Sequence, residues 1–254
     1  NNDNKKENIE KQCEKACEEI KSYSQFDKDG CIIEVEVAKL LNHPNICKYV
    51  DSGRLIANGQ QLAYIVTEFV SGETLDKRIA RNGSLSIYDI KQIAKALLSA
   101  LQYLHSQETP VIHNEVTIQN LMLDLSGTLE NLKLIDFGYA RFLNQEPVRP
   151  NLKQLNPFYM APERLNGVSC VQSDLFSVGA ILYHLIFNEL PWFFDASGMN
   201  DQQIVERLQA EREHLQQMPK IDVFELDEQL LNIISKALSI EVEDRFQSAD
   251  EFMK

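Results

Sequence analysis

The sequence predicts an α+β fold in which a small mixed α/β part is followed by a larger, mainly helical part. Two observations support this order. First, β-prone segments meet at Asn58-Gly59, and Asn-Gly is a preferred pair for tight hairpin turns. Second, apolar residues after Ser86 recur with the 3.6-residue period of amphipathic helices. A chain of 254 residues is long enough to form two lobes with real cores.

Composition narrows the classes of function. The chain has 25 Lys+Arg against 38 Asp+Glu and a net charge of −13. Such an excess of acidic residues argues against binding to nucleic acids or to anionic membrane surfaces, which requires clusters of basic residues. No apolar run is long enough to span a bilayer. The five cysteines are scattered, which predicts reduced thiols and an intracellular, cytoplasmic location. Both chain ends resemble cuts in a longer protein.

Residues 1–30 predict an atypical, helical start to the small lobe. Apolar residues share one helix face there at positions Ile9, Cys13, Ala16, Cys17 and Ile20. No His lies near the two cysteines of this face, so we expect no zinc site. A second helix is predicted over 31–42, because Pro44 in Asn42-His43-Pro44 prevents its continuation.

A β-hairpin and a connecting segment are predicted to complete the small lobe over 46–70. The two β-prone runs are Ile46–Leu55 and Gln61–Phe69. Ser71-Gly72 is typical of a linker, and residues 71–254 then form the helical lobe.

Helices dominate the second lobe. Ser86-Ile87-Tyr88-Asp89 resembles a capping box. The apolar stripe of the following helix consists of Ile90, Ile93, Ala94, Leu97, Leu98, Leu101 and Leu104. Apolar residues cover more than one face of Leu175–Phe187, which predicts a central, buried helix. Short β-prone pieces are predicted at Leu121–Leu123 and Leu132–Ile135, with an irregular stretch over 137–160.

Several short motifs stand in a fixed order in this second lobe. They are His113-Asn114-Glu115-Val116-Thr117-Ile118-Gln119-Asn120, Asp136-Phe137-Gly138, Ala161-Pro162-Glu163, Asp174 and Arg245, with His43-Pro44-Asn45-Ile46 before them. Together they resemble the eukaryotic-type protein kinase family from about Cys31 to the C-terminus. The resemblance implies a bilobal protein-kinase-like fold, with a reduced or atypical N-lobe over 1–70 and a mainly helical C-lobe over 71–254.

The resemblance also implies roles for individual residues. Asp136 and Asn120 correspond to the metal-holding carboxylate and amide. The nucleotide pocket would be formed by Glu34, Thr67, Glu68, Val70 and Met122, with Lys15 as a candidate for the phosphate-binding lysine. In the family, the segment corresponding to residues 113–120 is called the catalytic loop, and that name is kept here. The resemblance implies structural roles for five residues: His113, Phe137, Glu163, Asp174 and Arg245. Phe137 packs near His113, Asp174 caps backbone amides of the catalytic loop, and Glu163 pairs with Arg245.

Departures from the family pattern concentrate where phosphoryl transfer occurs. Glu115 replaces the catalytic Asp, and its extra methylene moves the carboxylate by about 1 Å, a displacement that can cost on the order of 10²-fold in rate. Thr117 replaces the catalytic Lys and removes a positive charge from the transferring phosphoryl group. Asn156 replaces the Thr that links those two residues, and Asn114 replaces the preceding Arg.

Two further signals of catalysis are missing from the sequence. The segment from Asp136 to Glu163 contains no Ser or Thr, and no glycine precedes Gly30, so a Gly-rich phosphate loop is absent. Two alignments of the phosphate-binding lysine stay open: one places Lys15 there, and the other places Glu18, which would repel phosphate.

These observations lead to two hypotheses. In the first, the domain is a pseudokinase that has lost efficient phosphotransfer, requires no cofactor, and acts by binding one or more proteins as scaffold, regulator or structural component. In the second, it is a weak or atypical ATP-dependent Ser/Thr kinase with Glu115 as base and Mg²⁺ held by Asp136 and Asn120. A third, intermediate possibility is ATP with Mg²⁺ bound as a structural ligand without transfer.

Overall fold

The computed structural model of the chain describes residues 33–57, 60–124, 131–146, 148–152, 154–190, 192–214 and 228–254. The predicted helix over 1–30, Lys15 and the Asn58-Gly59 turn lie outside these residues and stay predictions. Within the described part, no helix combines the length and the apolarity needed to cross a membrane.

The first lobe contains one helix and an antiparallel hairpin. Helix α1 (Ile33–Leu40) buries Ile33, Val37 and Ala38, and strands β1 (Tyr49–Ala57) and β2 (Gln60–Thr67) pair from Tyr49↔Thr67 to Ala57↔Gln60. Both strands are shifted from the predicted runs. Ile46 forms only an isolated bridge to Leu134, and β2 ends before Glu68 and Phe69.

The connection between the lobes differs from the predicted linker. Gly72 begins strand β3 (Gly72–Thr74), which pairs with strand β5 (Leu121–Asp124) in the second lobe. A Cβ atom on Gly72 would lie 1.9 Å from the Leu123 carbonyl oxygen, so only glycine permits this close pairing. Ser71-Gly72 is typical of a linker by composition, but the backbone of the second lobe gives Gly72 a strand partner.

The second lobe is mainly helical, with short strands on the side facing the first lobe. Its elements, in chain order, are α2 (Leu75–Asn82), α3 (Ile87–His105), β4 (Val111–Ile112), a 3₁₀ turn (Ile118–Asn120), β5 (Leu121–Asp124), β6 (Lys133–Leu134), β7 (Arg141–Phe142), a 3₁₀ turn (Pro157–Tyr159), α4 (Pro162–Leu165), α5 (Val171–Phe187), α6 (Asp201–His214), α7 (Glu228–Ala237), a 3₁₀ turn (Val242–Asp244) and α8 (Ala249–Met253).

The core of this lobe is built around α3 and α5. Helix α3 begins where the Ser86 hydroxyl accepts a hydrogen bond from the Asp89 amide at 3.1 Å, and its predicted apolar stripe is buried except for the partly exposed Ala94. Helix α5 is buried along most of its length and packs against α3 and α7. Trp192 belongs to this core and donates its indole N–H to the Phe158 carbonyl at 2.6 Å. The α+β bilobal architecture predicted from the sequence is therefore confirmed.

Candidate functional site

A cavity of about 640 Å³ lies between the two lobes. Its lining includes the predicted pocket residues Glu34, Thr67, Glu68, Val70 and Met122, together with Glu115 and Asp136. Among the described lining residues there are four carboxylates and no Lys, Arg or His. The tertiary structure thus brings five predicted nucleotide-pocket residues, Glu115 and Asp136 around one cavity. Thr117, Asn120 and Asn156 are not among its described lining residues.

The segment joining the lobes borders this cavity. Glu68 pairs its backbone N–H with the Lys48 carbonyl at 2.8 Å, and its carboxylate forms an ion pair with Lys133 at 2.7 Å. Burial opposes ionisation of Glu68, but the hydrogen bonds from Lys133 and Lys48 outweigh it and lower the pKa of Glu68. Its negative charge is therefore compensated, which leaves Glu34, Glu115 and Asp136 as the uncompensated acids of the cavity.

The Glu34 carboxylate of α1 faces the start of the Asp136-Phe137-Gly138 segment. A Cβ atom on Gly138 would lie 3.9 Å from Glu34 Oε2 and 3.2 Å from Asp136 Oδ1. Burial, and next the negative charge of Asp136, raise the pKa of Glu34 to about 7. No described ammonium or guanidinium group hydrogen-bonds to Glu34.

Glu115 is held beside Asp136 by the catalytic loop itself. The Asn120 amide donates to the Glu115 backbone carbonyl at 3.0 Å and also hydrogen-bonds its side chain. Burial, and next the charge of Asp136, raise the pKa of Glu115 to about 8 despite that hydrogen bond. At neutral pH, Glu115 therefore carries a proton for much of the time.

Asp136 and Asn120 supply oxygen atoms of the type that Mg²⁺ prefers. Asp136 has a positive φ of 62°, and its Oδ1 accepts a hydrogen bond from the Gly138 N–H at 3.0 Å. The NH₂ group of Asn120 donates a hydrogen bond to the Glu115 carbonyl. A carboxylate oxygen and an amide oxygen suit one divalent ion brought by a nucleotide. Among the described residues, no group of three or more His, Cys, Asp or Glu side chains forms a site for a metal by itself.

The side chains of Glu115, Thr117 and Asn156 do not hydrogen-bond one another. Thr117 is buried and precedes the 3₁₀ turn Ile118–Asn120 without capping it through its hydroxyl. Asn156 instead caps the next 3₁₀ turn and accepts the Phe158 N–H at 3.1 Å. Glu115, Thr117 and Asn156 therefore do not form one hydrogen-bonded cluster, and the Asn156 side chain bonds within its own turn.

Asp174 holds the backbone of the catalytic loop from inside the second lobe. Its carboxylate accepts hydrogen bonds from the backbone N–H groups of His113 at 2.8 Å and Asn114 at 2.9 Å. The Nε2 atom of His105 lies 3.0 Å from Asp174 Oδ2. The His113 ring packs edge-on against Phe137, with ring centroids 4.9 Å apart. Its Nδ1 accepts the Glu115 N–H, so the neutral ring carries its proton on Nε2 and donates to the Ile135 carbonyl at 3.3 Å.

Glu163 and Arg245 form a bidentate ion pair at the base of the second lobe. Arg245 Nη1 and Nη2 donate to the two carboxylate oxygens at 2.8 and 2.9 Å. The remaining Arg245 donors bind the carbonyls of Ser239 and Ile240, and Ser173 donates to Glu163 at 2.7 Å. Burial would raise the pKa of Glu163, but the Arg245 hydrogen bonds outweigh it and lower that pKa.

Sequence reasoning missed several buried residues around the site. His105 has no motif around it, and its contact with Asp174 spans 69 positions of sequence. Arg141, Arg164 and Arg212 are buried although arginine is normally exposed, and nothing local in the sequence marks them. Cys47 donates its thiol to the Glu68 carbonyl at 3.6 Å, beside the segment joining the lobes.

Replacing Glu115 by glutamine is expected to flatten the dependence of stability on pH. Since its pKa is about 8 in the folded protein and 4.5 as a free group, the native state keeps a proton that the unfolded chain has lost. The contribution of Glu115 to stability should therefore fall as the pH rises from about 5 to about 8. The Glu115→Gln variant should melt a few degrees above the parent at about pH 8 and close to it at about pH 5.

Melting curves at several pH values would measure this difference, with Glu108→Gln as the control because Glu108 is exposed and distant from the cavity. Equal melting temperatures of parent and Glu115→Gln at about pH 8 would contradict the expected proton uptake.

The fold and the order of residues in this site define a protein-kinase domain. The family model described as "Protein kinase domain" matches residues 4–254, and the chain belongs to that family. The kinase-like fold predicted from the motifs is thereby confirmed.

Relatives of the chain include named Ser/Thr kinases. It is 31% identical over 237 residues to a probable serine/threonine-protein kinase PknB of Lactococcus lactis subsp. lactis (strain IL1403), covering 91% of this chain and 35% of that protein. The probable serine/threonine-protein kinase PknB of Bifidobacterium longum (strain NCC 2705) is 29% identical over 86% of this chain and 31% of its own length. Calcium-dependent protein kinase 5 of Plasmodium berghei (strain Anka) is 30% identical over 69% of this chain. The chain spans about a third of the length of these relatives.

Proposed function

We propose that this protein-kinase domain lacks efficient phosphotransfer and acts by binding another protein, as scaffold, regulator or structural component of an assembly. The observation that supports the proposal is that the described lining of the cavity contains acidic side chains and no Lys, Arg or His. Its described lining contains Glu34, Glu115 and Asp136 without a compensating cation. A nucleoside triphosphate is strongly anionic, and phosphoryl transfer needs positive charge around the transferred phosphoryl group.

The residues of the catalytic loop support the same proposal. Thr117 stands at the position where the family has its catalytic lysine, and its buried hydroxyl cannot neutralise a phosphoryl group. Glu115 is mostly protonated near neutral pH, so less of it is available as a base below about pH 8. Asn156 is engaged in capping its own turn.

A second candidate function, weak ATP-dependent protein kinase activity, is favoured by one observation on Glu115. A general base works best with a pKa near the operating pH, and the pKa of Glu115, at about 8, meets that condition. Asp136 and Asn120 would hold the metal ion, and two of the relatives named above are named probable serine/threonine-protein kinases.

Phosphotransfer by the purified chain with ATP and Mg²⁺ or Mn²⁺ distinguishes the two candidates. We expect incorporation of labelled phosphate into a generic protein substrate, or into the chain itself, to stay at background, with no difference between the parent and Glu115→Ala. Glu213→Ala serves as the matched control, since Glu213 is exposed on α6. Robust transfer that disappears in Glu115→Ala and persists in Glu213→Ala would replace the proposal by the second candidate.

Nucleotide binding without transfer is measured separately, by thermal denaturation with ATP and Mg²⁺. A ligand at about 100 times its dissociation constant stabilises the folded state by about 2.7 kcal/mol. A shift that occurs without turnover and is lost in Asp136→Asn would identify the nucleotide as a structural ligand. No shift at millimolar nucleotide is the result expected for an acidic cavity whose described lining contains no phosphate-binding cation.

A further inference from the structure

Three successive backbone carbonyls, in residues 158–160, each accept a hydrogen bond from a buried side chain of a distant part of the chain. The three contacts are Trp192 Nε1 to the Phe158 carbonyl at 2.6 Å, Ser177 Oγ to the Tyr159 carbonyl at 2.8 Å and Arg212 Nη2 to the Met160 carbonyl at 2.6 Å. All three donor residues are at most 7% exposed. Segment 158–160 therefore takes its conformation from α5, from α6 and from the chain between these two helices.

Arg212 differs from the other two donors because it brings a positive charge into the protein interior. Its Nε and Nη1 atoms are buried and make no hydrogen bond. No ion pair joins Arg212 to a carboxylate of the described chain, and the nearby acid Glu163 pairs with Arg245 instead. Burial, and next the positive charge of Arg245, lower the pKa of Arg212 to about 9. A buried charge without a carboxylate partner costs folding free energy that a well-packed nonpolar side chain would not cost.

Two aromatic rings contact the guanidinium of Arg212. Its central carbon lies 4.7 Å from the centroid of the Trp192 ring and 5.1 Å from that of the Phe176 ring, and these two rings stack on each other with centroids 5.5 Å apart. Such cation–π contacts are attractive, and tryptophan gives the strongest ones. Arg212 and Trp192 thus contact each other while each holds one carbonyl of segment 158–160.

We propose that Arg212 and Trp192 act as one unit that fixes segment 158–160 to α6, with Arg212 as the positioning residue. Because its charge lacks a carboxylate partner, Arg212 adds little to global stability, and its effect is to hold the segment in one position. A displacement of α6 then moves the chain between Asn156 and the Glu163 ion pair. The proposal is independent of whether the domain transfers phosphate.

Hydrogen–deuterium exchange of the full chain tests this role on peptides that cover residues 157–161. The amides of Phe158 and Met160 are hydrogen-bonded to Asn156 and Pro157, so their exchange reports opening of the segment. In Arg212→Met, which lacks the charge and the donors, these amides should exchange at least about tenfold faster. The midpoint of urea denaturation should stay equal to or above that of the parent. Arg212→Lys keeps a charge and a donor and should restore most of the slow exchange.

Arg207→Met is the matched control, because Arg207 is exposed on the same helix and pairs with Glu211. Exchange in residues 157–161 should stay at the parent rate in this variant. Trp192→Phe removes the indole donor but keeps a ring, and it should also accelerate exchange. The double variant Arg212→Met/Trp192→Phe should exchange no faster than the faster single variant, because one broken contact already releases the unit.

Multiplied effects in the double variant would show two independent contacts and contradict the proposed unit. Unchanged exchange in residues 157–161 of Arg212→Met would overturn the positioning role. The same holds for acceleration spread evenly over the second lobe with a lower denaturation midpoint, since that result describes a residue needed only for stability. If Arg212→Met does not fold, Trp192→Phe is compared with the parent by the same two measurements, and unchanged exchange there overturns the proposal.

Discussion

Replacing Glu163 by alanine is expected to lower the free energy of unfolding by roughly 3–5 kcal/mol, because the change leaves a buried charge without its partner. The side chain of Arg245 is fully buried, and its guanidinium also lies over the Phe176 ring, 4.9 Å from the centroid. Without the Glu163 carboxylate, its positive charge is compensated only by the carbonyls of Ser239, Ile240 and Gln172. Denaturation by urea, followed by circular dichroism, measures the loss.

A second variant separates two effects on stability: the loss of the ion pair itself and the cost of leaving the buried Arg245 charge unpaired. The double variant Glu163→Ala/Arg245→Met removes both charges and should recover part of the stability lost in Glu163→Ala. Glu251→Ala is the matched control, since its ion pair with Lys236 is exposed, and its denaturation midpoint should stay close to that of the parent. A Glu163→Ala variant as stable as Glu251→Ala would show that the buried pair contributes little.

The same ion pair predicts a loss of stability in acid. The pKa of Glu163 is lower in the folded protein than in the unfolded chain, since the Arg245 and Ser173 hydrogen bonds outweigh the opposing effect of burial. Its contribution is therefore fully present above the ordinary pKa of 4.5 and disappears as the pH falls through the lowered value. The difference between the parent and Glu163→Ala should narrow below about pH 4.

Replacing Asp174 by alanine is expected to cost at least about 3 kcal/mol, because three buried donors lose their acceptor. Two of them are the backbone N–H groups of His113 and Asn114, and the third is the His105 ring. Asn114 has a positive φ of 66°, so this part of the loop is strained and depends on the hydrogen bonds that hold it. Faster amide hydrogen exchange at His113 and Asn114 should accompany the lower unfolding free energy.

The control for this variant is Asp250→Ala, because the Asp250 carboxylate is exposed and pairs with Lys254, the residue that follows α8. Its melting temperature should differ little from that of the parent. Asp174→Asn retains one acceptor oxygen and should fall between the parent and Asp174→Ala. Unchanged hydrogen exchange at His113 and Asn114 in Asp174→Ala would contradict the role assigned to this carboxylate.

Much of the architecture was predictable from local patterns. Ser86 and the apolar stripe after it predicted α3, and the dense apolar run ending at Phe187 predicted the central helix α5. Both patterns depend on neighbouring residues within a few turns, so they are visible without the fold. Gly72 shows the limit, because its strand partner lies on β5 and the close backbone approach cannot be inferred from composition.

The candidate site was predictable only as a set of family positions. The motifs indicated which residues surround the cavity, and Glu115, Thr117 and Asn156 were recognisable as replacements in the sequence itself. Their actual partners were not. Asn156 is a helix-capping residue type, yet only the structure shows that it caps the Pro157–Tyr159 turn instead of contacting the catalytic loop.

By itself, the sequence determined the main helical segments of the second lobe and the order of the kinase motifs. Only the tertiary structure decided which titratable groups lie together: Glu34, Glu115 and Asp136 around one cavity, and His105 against Asp174. The reason is physical. Helix formation depends on residues a few positions apart, whereas the protonation and pairing of buried groups depend on neighbours that folding brings from distant parts of the chain.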